Sequence, residues 1–435
     1  MSAGPPPERG TTARAVALEV IRRVVDEGAY SNRLLPVMLS SSGLDRRDRA
    51  FATELTYGTL RRLGPIDRAI ASAARRPIDR ITVGARHAVR LGAYQLEAGV
   101  APHAAVRETV ELVTPKERGF VNAVLRRLAD HPPTAPSGDR DEDVAGRTGM
   151  APWAIRELRH VVEDGVETAA SAFATQAPLT LRVNPCRGSV EELRHELAAA
   201  GVQTSIGEVD PGCLVVGSGG DPATFPGFAE GRFAVQDQAS AFVARIVDAR
   251  RGERVLDTCA APGGKAAALA CMVRPDGSVV AADVAPARAR LVTAAARRLG
   301  ERIAVLVADG RAPAVRPPFD RVLVDAPCSG IGSARRRPEL LWRVPSTALS
   351  QLARTQVAIT SASASLLRPG GRLVYAVCTF ARAETDAACE ALVRHRPDLR
   401  PIETEGPDGL AFRHRLWPHR HGTDGMFVAA FERTS

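Results

Sequence analysis

The chain has 435 residues, of which 45% are hydrophobic and 25% are charged, and an excess of Lys and Arg gives it a formal net charge of +9. This composition is that of a globular protein and excludes a wholly disordered chain, and the length suggests about three domains or subdomains. No apolar run is long enough to cross a membrane, and the N-terminus lacks the apolar stretch of a secretory signal. We therefore expect a cytoplasmic protein with no membrane association.

The cysteines give no sign of a disulfide framework. Seven of them lie at positions 186, 213, 259, 271, 328, 378 and 389, and no two have CxxC spacing. An odd number with this spacing indicates neither a set of disulfides nor a thiolate zinc site. Cys186, Cys213, Cys271 and Cys389 fit the commoner role of a small buried hydrophobic residue.

The N-terminal third is predicted to be helical and basic. A Pro- and Gly-rich tail at 1–11 is expected to be disordered, and apolar residues then recur every three or four positions over 12–132, as at Val16 and Val20. Residues 1–135 carry 21 Lys and Arg against 14 Asp and Glu, so +7 of the net charge lies there. This clustering favours contact with RNA, and a solvated Arg-rich surface is the alternative.

The rest of the chain is predicted to be α/β. Residues 133–150 combine Pro, Gly and acidic residues without periodicity and predict a linker. Residues 151–235 contain the strand TLRVNP and a helix with Ser189 as its N-cap, which predict a small α/β subdomain. Over 236–435, near-continuous apolar strands alternate with helices, which is typical of a mostly parallel sheet covered on both faces. The closing MFVAAFER predicts a final edge strand.

A loop of small residues follows the first strand of this sheet and runs into a helix. It holds Cys259, Ala260, Ala261, Pro262, Gly263, Gly264 and Lys265. Small residues let the backbone approach a ligand closely, and a helix N-terminus directs amide donors at it. The P-loop and GxGxxG patterns are absent from this loop, which disfavours triphosphate hydrolysis and a nicotinamide cofactor. Lys265 is one of only two lysines in an Arg-rich chain, so we expect a tight site that a guanidinium would not fit.

Acidic residues end the next three strands. Asp283 ends the second strand, Asp309 the third and Asp325 the fourth. Ligands of such sheets bind at the carboxyl ends of the strands, where Asp283 can accept hydrogen bonds from a ribose diol and Asp309 can contact an adenine amino group. A single acid in such a place is as readily a helix cap or a turn former. Three of them beside the small-residue loop predict a site for a cationic nucleoside such as S-adenosyl-L-methionine.

Two thiols fall at neighbouring strand ends. Cys328 lies in DAPCSG, just after the fourth strand, and Cys378 lies in YAVCT, at the end of the fifth. Adjacent parallel strands would bring both thiols to one edge of the cofactor crevice, where chemistry is placed in such sheets.

These motifs resemble those of the RsmB/NOP/Sun-type RNA (cytosine-5) methyltransferases. DTCAAPGGK, ADG, DAPCSG and the Cys-Thr of YAVCT carry the resemblance, and the front part, with AFATELTYGTLR and GFVNAVLRR, resembles the NusB domain of the RsmB-type enzymes. The resemblance implies a class I, Rossmann-like α/β methyltransferase with a seven-stranded, mostly parallel sheet, preceded by an all-α NusB-like domain and a small α/β subdomain. It also implies S-adenosyl-L-methionine as cofactor and 16S rRNA as substrate, and we expect a monomer without a metal.

The resemblance also assigns roles to the site residues. Cys378 would attack carbon 6 of the cytosine, Cys328 would assist when the adduct eliminates, and Asp325 would hydrogen-bond the base. Lys265 and the cofactor's sulfonium are candidates for the positive charge that a thiolate needs. In DNA cytosine-5 methyltransferases the nucleophile belongs to a Pro-Cys motif, which makes Cys328 the alternative. Val377 stands where the family has Thr, a near-isosteric change that we expect to preserve activity.

Several interpretations stay open at this point. Three arginines at 335–337 would hold RNA phosphates and Trp342 would stack on a base, or the same residues form a solvated loop followed by a core Trp. His414, His419 and His421 lack further metal ligands, so we expect them at the surface or against RNA. The functional alternatives are an RNA-binding ribosome-assembly factor with a vestigial methyltransferase domain, and the same chemistry on tRNA.

Overall fold

The structure is a computed structural model that describes residues 12–163, 165–217 and 220–434. The tail predicted at residues 1–11 lies outside the described residues. The chain divides into two compact units. The first, which we call the helical unit, consists of the chain up to Arg156, Val166–Thr175 and Ala334–Arg343. The second, the sheet unit, consists of Glu157–Gly165, Gln176–Ser333 and the chain from Val344 onward.

Helices alone make up the N-terminal third, as predicted. In chain order they are α1 (Ala13–Asp26), α2 (Ser31–Ser41), α3 (Arg46–Arg61), α4 (Leu63–Ala74), α5 (Val83–Glu97), α6 (Pro102–Val110) and α7 (Pro115–Asp130), followed by α8 (Asp141–Thr148), α9 (Pro152–Val161) and α10 (Val166–Phe173). Thr12 caps α1 by accepting a hydrogen bond from the backbone N–H of Ala15. Val16, Val20 and Val24 form one buried face of that helix, because residues three and four apart lie on the same side.

Helix α8 lies inside residues 133–150, the segment that we predicted to be an irregular linker. Its first turn holds Asp141, Glu142 and Asp143, which favour a helix N-terminus electrostatically, and Gly149 follows the helix with φ +81°. The acidic run that suggested a linker is therefore the start signal of a short helix.

The smaller sheet of the sheet unit has four antiparallel strands in the order β2-β3-β1-β4. They are β1 (Leu179–Val183), β2 (Thr204–Ile206), β3 (Cys213–Val216) and β4 (Phe233–Val235), with α11 (Val190–Ala199) following β1. The Ser189 side chain accepts from the backbone N–H of Glu192, and the Glu192 carboxylate accepts from the N–H of Ser189. This capping box satisfies two amide donors at the predicted helix start.

The larger sheet carries the candidate site. The remaining strands are β5 (Arg254–Asp257), β6 (Ser278–Asp283), β7 (Ala304–Val307), β8 (Phe319–Asp325), β9 (Leu367–Val377), β10 (Leu399–Pro401), β11 (Thr404–Gly406), β12 (Gly409–Ala411), β13 (Arg413–Leu416) and β14 (Met426–Arg433). Seven strands follow the order β10-β14-β9-β8-β5-β6-β7, and β13 also pairs with β14. Strands β5 to β9 are parallel to one another, whereas β14 runs antiparallel to β9. The Rossmann-like prediction is confirmed.

Two details of the sheet prediction were wrong. The sheet has eight strands rather than seven, because β13, whose sequence RHRL lacks apolar alternation, pairs with β14. Strand β14 is not an edge strand, since β9 lies on one side of it and both β10 and β13 lie on the other. Six of its residues are buried, which agrees with this interior place.

Helices cover the larger sheet on both faces. They are α12 (Gln238–Val247), α13 (Gly264–Met272), α14 (Pro286–Leu299), α16 (Leu349–Ala364), α17 (Asp386–His395) and α18 (Pro418–His421), and α15 (Leu340–Arg343) belongs to the helical unit. Along β9, Val374 and Ala376 join one apolar cluster while Tyr375 and Val377 join another. This alternation follows from the strand's period of two. No helix in the described part of the chain is long and apolar enough to span a membrane.

A segment from the C-terminal half of the chain completes the helical unit. In Ala334–Arg343, the fully buried Glu339 carboxylate accepts hydrogen bonds from the backbone N–H and the hydroxyl of Ser31, at 3.2 and 2.7 Å. The indole N–H of Trp342 donates to the Leu60 carbonyl at 3.1 Å, and its ring packs on the cluster formed by α1, α2 and α3. The Arg343 guanidinium donates to backbone carbonyls, among them that of Ala29.

The expectation of no disulfide was wrong for one pair of cysteines. Cys186, in the turn after β1, is bonded to Cys271, near the end of α13. The two residues are 85 positions apart, so their spacing gave no signal, and the packing of the smaller sheet near α13 brings their Cα atoms to 6.0 Å. Cys213 and Cys389 are buried free thiols, as expected.

Candidate active site

The small-residue loop turns from β5 into α13 beside the carboxyl edge of the larger sheet. It contains all seven predicted residues from Cys259 to Lys265. Gly263 has φ +110° and is the N-cap of α13, and a Cβ there would lie 2.9 Å from the Cα of Val292. A Cβ on Gly264 would approach the side chain of Gln236 to 3.2 Å. Position 263 therefore requires glycine, a side chain at position 264 would have to displace that of Gln236, and the loop leaves the amides of the first α13 turn free to meet a ligand.

Lys265 lies deep in the site and bridges two elements. Its ammonium donates to Asp325 Oδ2 at 2.7 Å and to the Ser240 hydroxyl at 3.1 Å. Burial is the largest influence and lowers the pKa of Lys265, but the charge and hydrogen bond of Asp325, together with the charges of Asp257 and Cys378, outweigh it, and the net direction is upward. The ammonium therefore stays charged, and the short reach to two partners explains why lysine stands here in an Arg-rich chain.

The two thiols at the ends of β8 and β9 lie in contact. The Sγ atoms of Cys328 and Cys378 are 3.3 Å apart, as the adjacency of parallel strands predicts. The hydrogen bond to Cys378, together with burial, holds the pKa of the Cys328 thiol well above its usual range. The Cys328 thiol is therefore neutral and can donate to the sulfur of Cys378, which lies within the electrostatic reach of Lys265.

Glu384 ties the two thiol-bearing loops together. Its fully buried carboxylate accepts from the backbone N–H of Ser329 at 2.8 Å, from the hydroxyl of Thr379 at 3.2 Å and from the side-chain amide of Gln356 at 2.9 Å. Ser329 follows Cys328 and Thr379 follows Cys378. One carboxylate therefore fixes both thiols by hydrogen bonds to the residues next to them.

Asp257, at the end of β5, is a buried carboxylate without a compensating partner. Neither of its oxygens has a hydrogen-bond partner of ordinary geometry among the described residues. Burial and the negative charge of Asp325 raise the pKa of Asp257 to about 7, and the positive charge of Lys265 and the nearby Cys259 amide lower it only in part. A buried acceptor aimed at the carboxyl edge of the sheet is available to a cationic ligand.

Asp283 and Asp309 both form local turns. Asp283 accepts from the backbone N–H of Ala285 at 3.0 Å and pairs with Arg288 at 3.1 Å. Asp309 accepts from the N–H and the guanidinium of Arg311, which holds the pKa of Asp309 at about 2. Each acid thus plays the turn-forming role that was the alternative to ligand binding. Asp283 is buried and Asp309 is half-exposed, and both lie at the edge where β6 and β7 end.

Three family models match successive parts of the chain. One described as 16S rRNA methyltransferase RsmB/F matches residues 244–432, the NusB family matches 11–130, and an RsmF/B-like ferredoxin-like domain matches 150–221. The chain is 37% identical over 454 residues to the putative methyltransferase Rv1407 of Mycobacterium tuberculosis, covering 97% of this chain and 96% of the relative. Against the probable ribosomal RNA small subunit methyltransferase B of Bacillus subtilis it is 32% identical over 448 residues, covering 97% and 99%. The chain belongs to the RsmB/F methyltransferase family.

Solved structures agree with this family's fold. PH0851 superposes with a TM-score of 0.84 at 24% identity and covers all of both chains. NSun6 from Pyrococcus horikoshii, solved with SFG, gives a TM-score of 0.58 at 19% identity and covers 65% of this chain and 98% of its own.

Three residues of this RsmB/F site were not predicted from the sequence. Asp257 carried a signal, because it ends a strand just as Asp283 and Asp325 do. Ser240 lies in the segment VQDQAS, and its contact with Lys265 is visible only in the folded chain. Glu384 carried no motif, and only the meeting of the loops after β8 and β9 reveals its part.

The three arginines and the Trp that follow Cys328 lie in different surroundings. In this RsmB/F chain Trp342 is a core residue of the helical unit, so the stacking interpretation was wrong. Arg335 is buried in the same unit, whereas Arg336 and Arg337 are partly exposed. The C-terminal end of this loop, at Trp342, thus packs on the helical core, and the loop is not wholly solvated.

The three histidines are not a surface cluster. His414 is buried, hydrogen-bonds the Thr404 hydroxyl at 2.9 Å and meets the Phe242 ring edge-on. His421 accepts from the backbone N–H of Trp417 and lies 3.3 Å from Asp408, while the His419 ring contacts the Trp417 ring at a tilted angle. The surface interpretation was wrong for His414, because that residue faces inward on β13.

Proposed function

We propose that this protein transfers a methyl group from S-adenosyl-L-methionine to carbon 5 of a cytosine in RNA, with small-subunit rRNA as substrate, through a covalent bond to Cys378. The observation that carries the proposal is the pair of thiols 3.3 Å apart at the ends of two parallel strands. They lie beside the Lys265–Asp325 ion pair, at the edge where the small-residue loop turns. The family and the names of its relatives support RNA as the substrate.

The residues present fit S-adenosyl-L-methionine. Gly263 packs closely on Val292 and Gly264 on Gln236, so the loop carries no side chains at its turn, and Asp257 offers a cationic group a buried carboxylate whose oxygens have no hydrogen-bond partner of ordinary geometry among the described residues. The loop from Cys259 to Lys265 would hold the methionine part, Asp283 the ribose and the Asp309 turn the adenine. When bound, the cofactor supplies an electrophilic methyl group for carbon 5.

The first step assigned to the protein makes carbon 5 reactive. Carbon 5 of cytosine is too electron-poor to take a methyl group directly. The Cys378 thiolate adds to carbon 6, a sulfur–carbon bond forms, and the electron pair of the C5–C6 double bond moves toward carbon 5 and the ring. The hydrogen bond from Cys328 and the charge of Lys265 favour the thiolate of Cys378, because both stabilise negative charge on its sulfur.

The last step releases the product. Carbon 5 gives up its proton, the electron pair restores the C5–C6 double bond, and the carbon 6–Sγ bond of Cys378 breaks. Cys328 is placed to receive that proton. While Cys378 is bonded to the base its sulfur carries no negative charge, so the Cys328 thiol, released from that partner, would give its own proton to solvent and take up the proton of carbon 5 as a thiolate. Asp325 would hydrogen-bond the base through Oδ1, since its Oδ2 is taken by Lys265.

The target base must leave its stack to reach this edge of the sheet. An unstacked cytosine is more available in a loop or in incompletely folded RNA than in a helix. We therefore expect naked rRNA to be a better substrate than an assembled ribosomal subunit.

Thiol variants test the mechanism. We expect Cys378→Ala to abolish both methyl transfer and the covalent RNA adduct, and Cys328→Ala to accumulate the adduct, because addition proceeds while elimination is blocked. The measurements are transfer of radiolabelled methyl to in vitro transcribed small-subunit rRNA and a denaturing gel for the adduct. Cys389→Ala, which changes a buried thiol away from the strand ends, is the matched control and should behave as the unmodified protein.

Two results would overturn the proposal. An inert Cys328→Ala together with adduct formation by Cys378→Ala would exchange the two roles. An absence of transfer by the unmodified protein, with cofactor binding intact by calorimetry, would favour the RNA-binding assembly factor. The same assay on tRNA tests the alternative substrate, and bisulfite sequencing of RNA from a strain lacking the gene locates the cytosine.

A further inference from the structure

A basic cavity of about 430 Å³ lies in the sheet unit beside β13. We define it by five of its lining residues, namely Arg382, Arg413, Arg415, Trp417 and Arg420. None of them belongs to the candidate active site described above. The volume is within the range of small-molecule binding clefts.

Strand register places this cavity beside the nucleophile. Val377, the residue before Cys378, pairs with Phe427 of β14, and Phe427 pairs with Arg415 of β13. Two strand spacings, or about 10 Å, therefore separate the ends of β9 and β13. Both strands end at the same edge of the sheet, because each runs antiparallel to β14.

The loop after the nucleophile also reaches this cavity. Arg382 follows Cys378 by four residues and lines the cavity directly. Between them, Phe380 contacts the ring of Trp417, with ring centroids 6.1 Å apart. The cavity wall and the nucleophile are thus joined through one short segment of chain.

The lining carries an excess of positive charge. Arg413 and Arg415 share a single carboxylate, that of Asp386, which fixes both guanidiniums in place. Arg382 and Arg420 are exposed, and neither guanidinium has a carboxylate partner among the described residues. Four arginines therefore face two acidic residues, Asp386 and Asp408, in the lining.

We propose that the basic cavity binds a backbone phosphate of the substrate RNA next to the nucleotide that reacts. The inference rests on the proposed RNA substrate. A target base within a polymer carries phosphates on both sides, so the strand must leave the active site across a neighbouring surface. Guanidiniums bind phosphate through paired hydrogen bonds, and the cavity offers two without a carboxylate partner, those of Arg382 and Arg420, on the segments that follow the neighbouring ends of β9 and β13.

The test compares Arg382→Gln/Arg420→Gln with the unmodified full-length protein. Both side chains are exposed, so the double variant should fold normally, and its affinity for S-adenosyl-L-methionine should be unchanged by calorimetry. We expect the Kd for in vitro transcribed small-subunit rRNA to rise roughly 10-fold. We also expect the slope of log Kd against log salt to fall by about 0.7 for each single-strand phosphate that the variant no longer neutralises. Arg251→Gln, an exposed arginine at the opposite edge of the sheet, is the matched control.

The outcomes separate this inference from the proposed function. Methyl transfer by the unmodified protein tests the function, whereas the RNA affinity of the variants tests the cavity whether or not transfer occurs. An unchanged Kd and an unchanged salt slope in the double variant would overturn the inference. Calorimetric titration with inorganic phosphate provides a second arm, in which millimolar or tighter binding without any effect of the variant on RNA would mark a site for free phosphate and also overturn it.

Discussion

Asp257 illustrates how a single residue in this site trades stability for ligand binding. Its carboxylate is fully buried, it has no hydrogen-bond partner of ordinary geometry among the described residues, and its pKa is raised to about 7. The charged groups that face it are Asp325, Lys265 and Asp283, of which only Lys265 favours the ionised form. A bound cation would compensate the charge that the folded chain leaves unmatched.

The pH dependence of stability should reveal this residue. The unfolded chain releases the Asp257 proton near pH 4, whereas the folded chain holds it to about pH 7, so between these values the folded state binds more protons. Raising the pH through this window therefore destabilises the fold. We expect Asp257→Asn to remove up to about 1.4 kcal/mol per pH unit from that decline, measured by urea unfolding between pH 5 and 7. Asp309→Asn is the control, and equal slopes in Asp257→Asn and the unmodified chain would refute the prediction.

Val377, which stands where the family has Thr, departs from the family pattern next to Cys378. Its side chain is buried in an apolar cluster, while Cys378 packs on the cluster of the other face, because successive strand residues alternate. Val377 thus does not share the surroundings of Cys378, the proposed nucleophile. This separation supports the expectation that Val in place of Thr preserves activity.

At the scale of elements, the sequence predicted those helices and strands whose apolar residues recur with a regular period. The apolar strands β5, β6, β8 and β9 and the capped helix α11 were visible because each repeats its pattern over several residues. Strand β13, with the sequence RHRL, was not predicted because three of its four residues are basic. The role of Glu384 was not predicted, because its hydrogen bonds join loops that are far apart in sequence. A single sequence gives no information about such contacts.

The disulfide between the turn after β1 and α13 yields a prediction at this scale. A crosslink that closes a loop of 85 residues restricts the unfolded chain, and such a crosslink typically stabilises a fold by about 3 kcal/mol. We expect dithiothreitol to lower the free energy of unfolding of the unmodified chain by about that amount and to leave Cys186→Ser/Cys271→Ser unchanged. Urea unfolding with and without reductant measures it.

Thiol titration gives an independent check on the disulfide. Under denaturing, non-reducing conditions the unmodified chain should react at the five cysteines that are free in the structure. Reaction at all seven cysteines of the sequence would contradict the crosslink.

At the scale of the whole molecule, the helical unit is not a contiguous piece of sequence. Its core includes Trp342, and its buried polar network includes Glu339, both from the segment Ala334–Arg343. A fragment that ends near Asp130 would lack these residues and expose the surfaces they cover. The helical front therefore resembles a NusB domain in sequence but depends on residues from much farther along the chain.

Substitution of Trp342 tests this dependence. Trp342→Ala removes ring packing and the hydrogen bond to the Leu60 carbonyl, and we expect the unfolding of the helical unit to be destabilised by about 3 kcal/mol. Trp342→Phe keeps most of the packing and should cost about 1 kcal/mol, which is the share of a single hydrogen bond. Urea unfolding monitored by circular dichroism measures both changes in the free energy of unfolding. Equal stability of Trp342→Ala and the unmodified chain would show that the segment is dispensable.

The same segment sets an order on events during translation. Arg343 leaves the ribosome 213 residues after Asp130, the end of α7, so at about 5–20 residues per second the first seven helices wait roughly 10–40 s for their final residues. During that interval the strands from β1 to β8 emerge, and the nascent helices still lack the Trp342 side chain that packs on them. Synthesis of the segment Ala334–Arg343, shortly after Cys328, is thus the event that lets the N-terminal unit complete its fold.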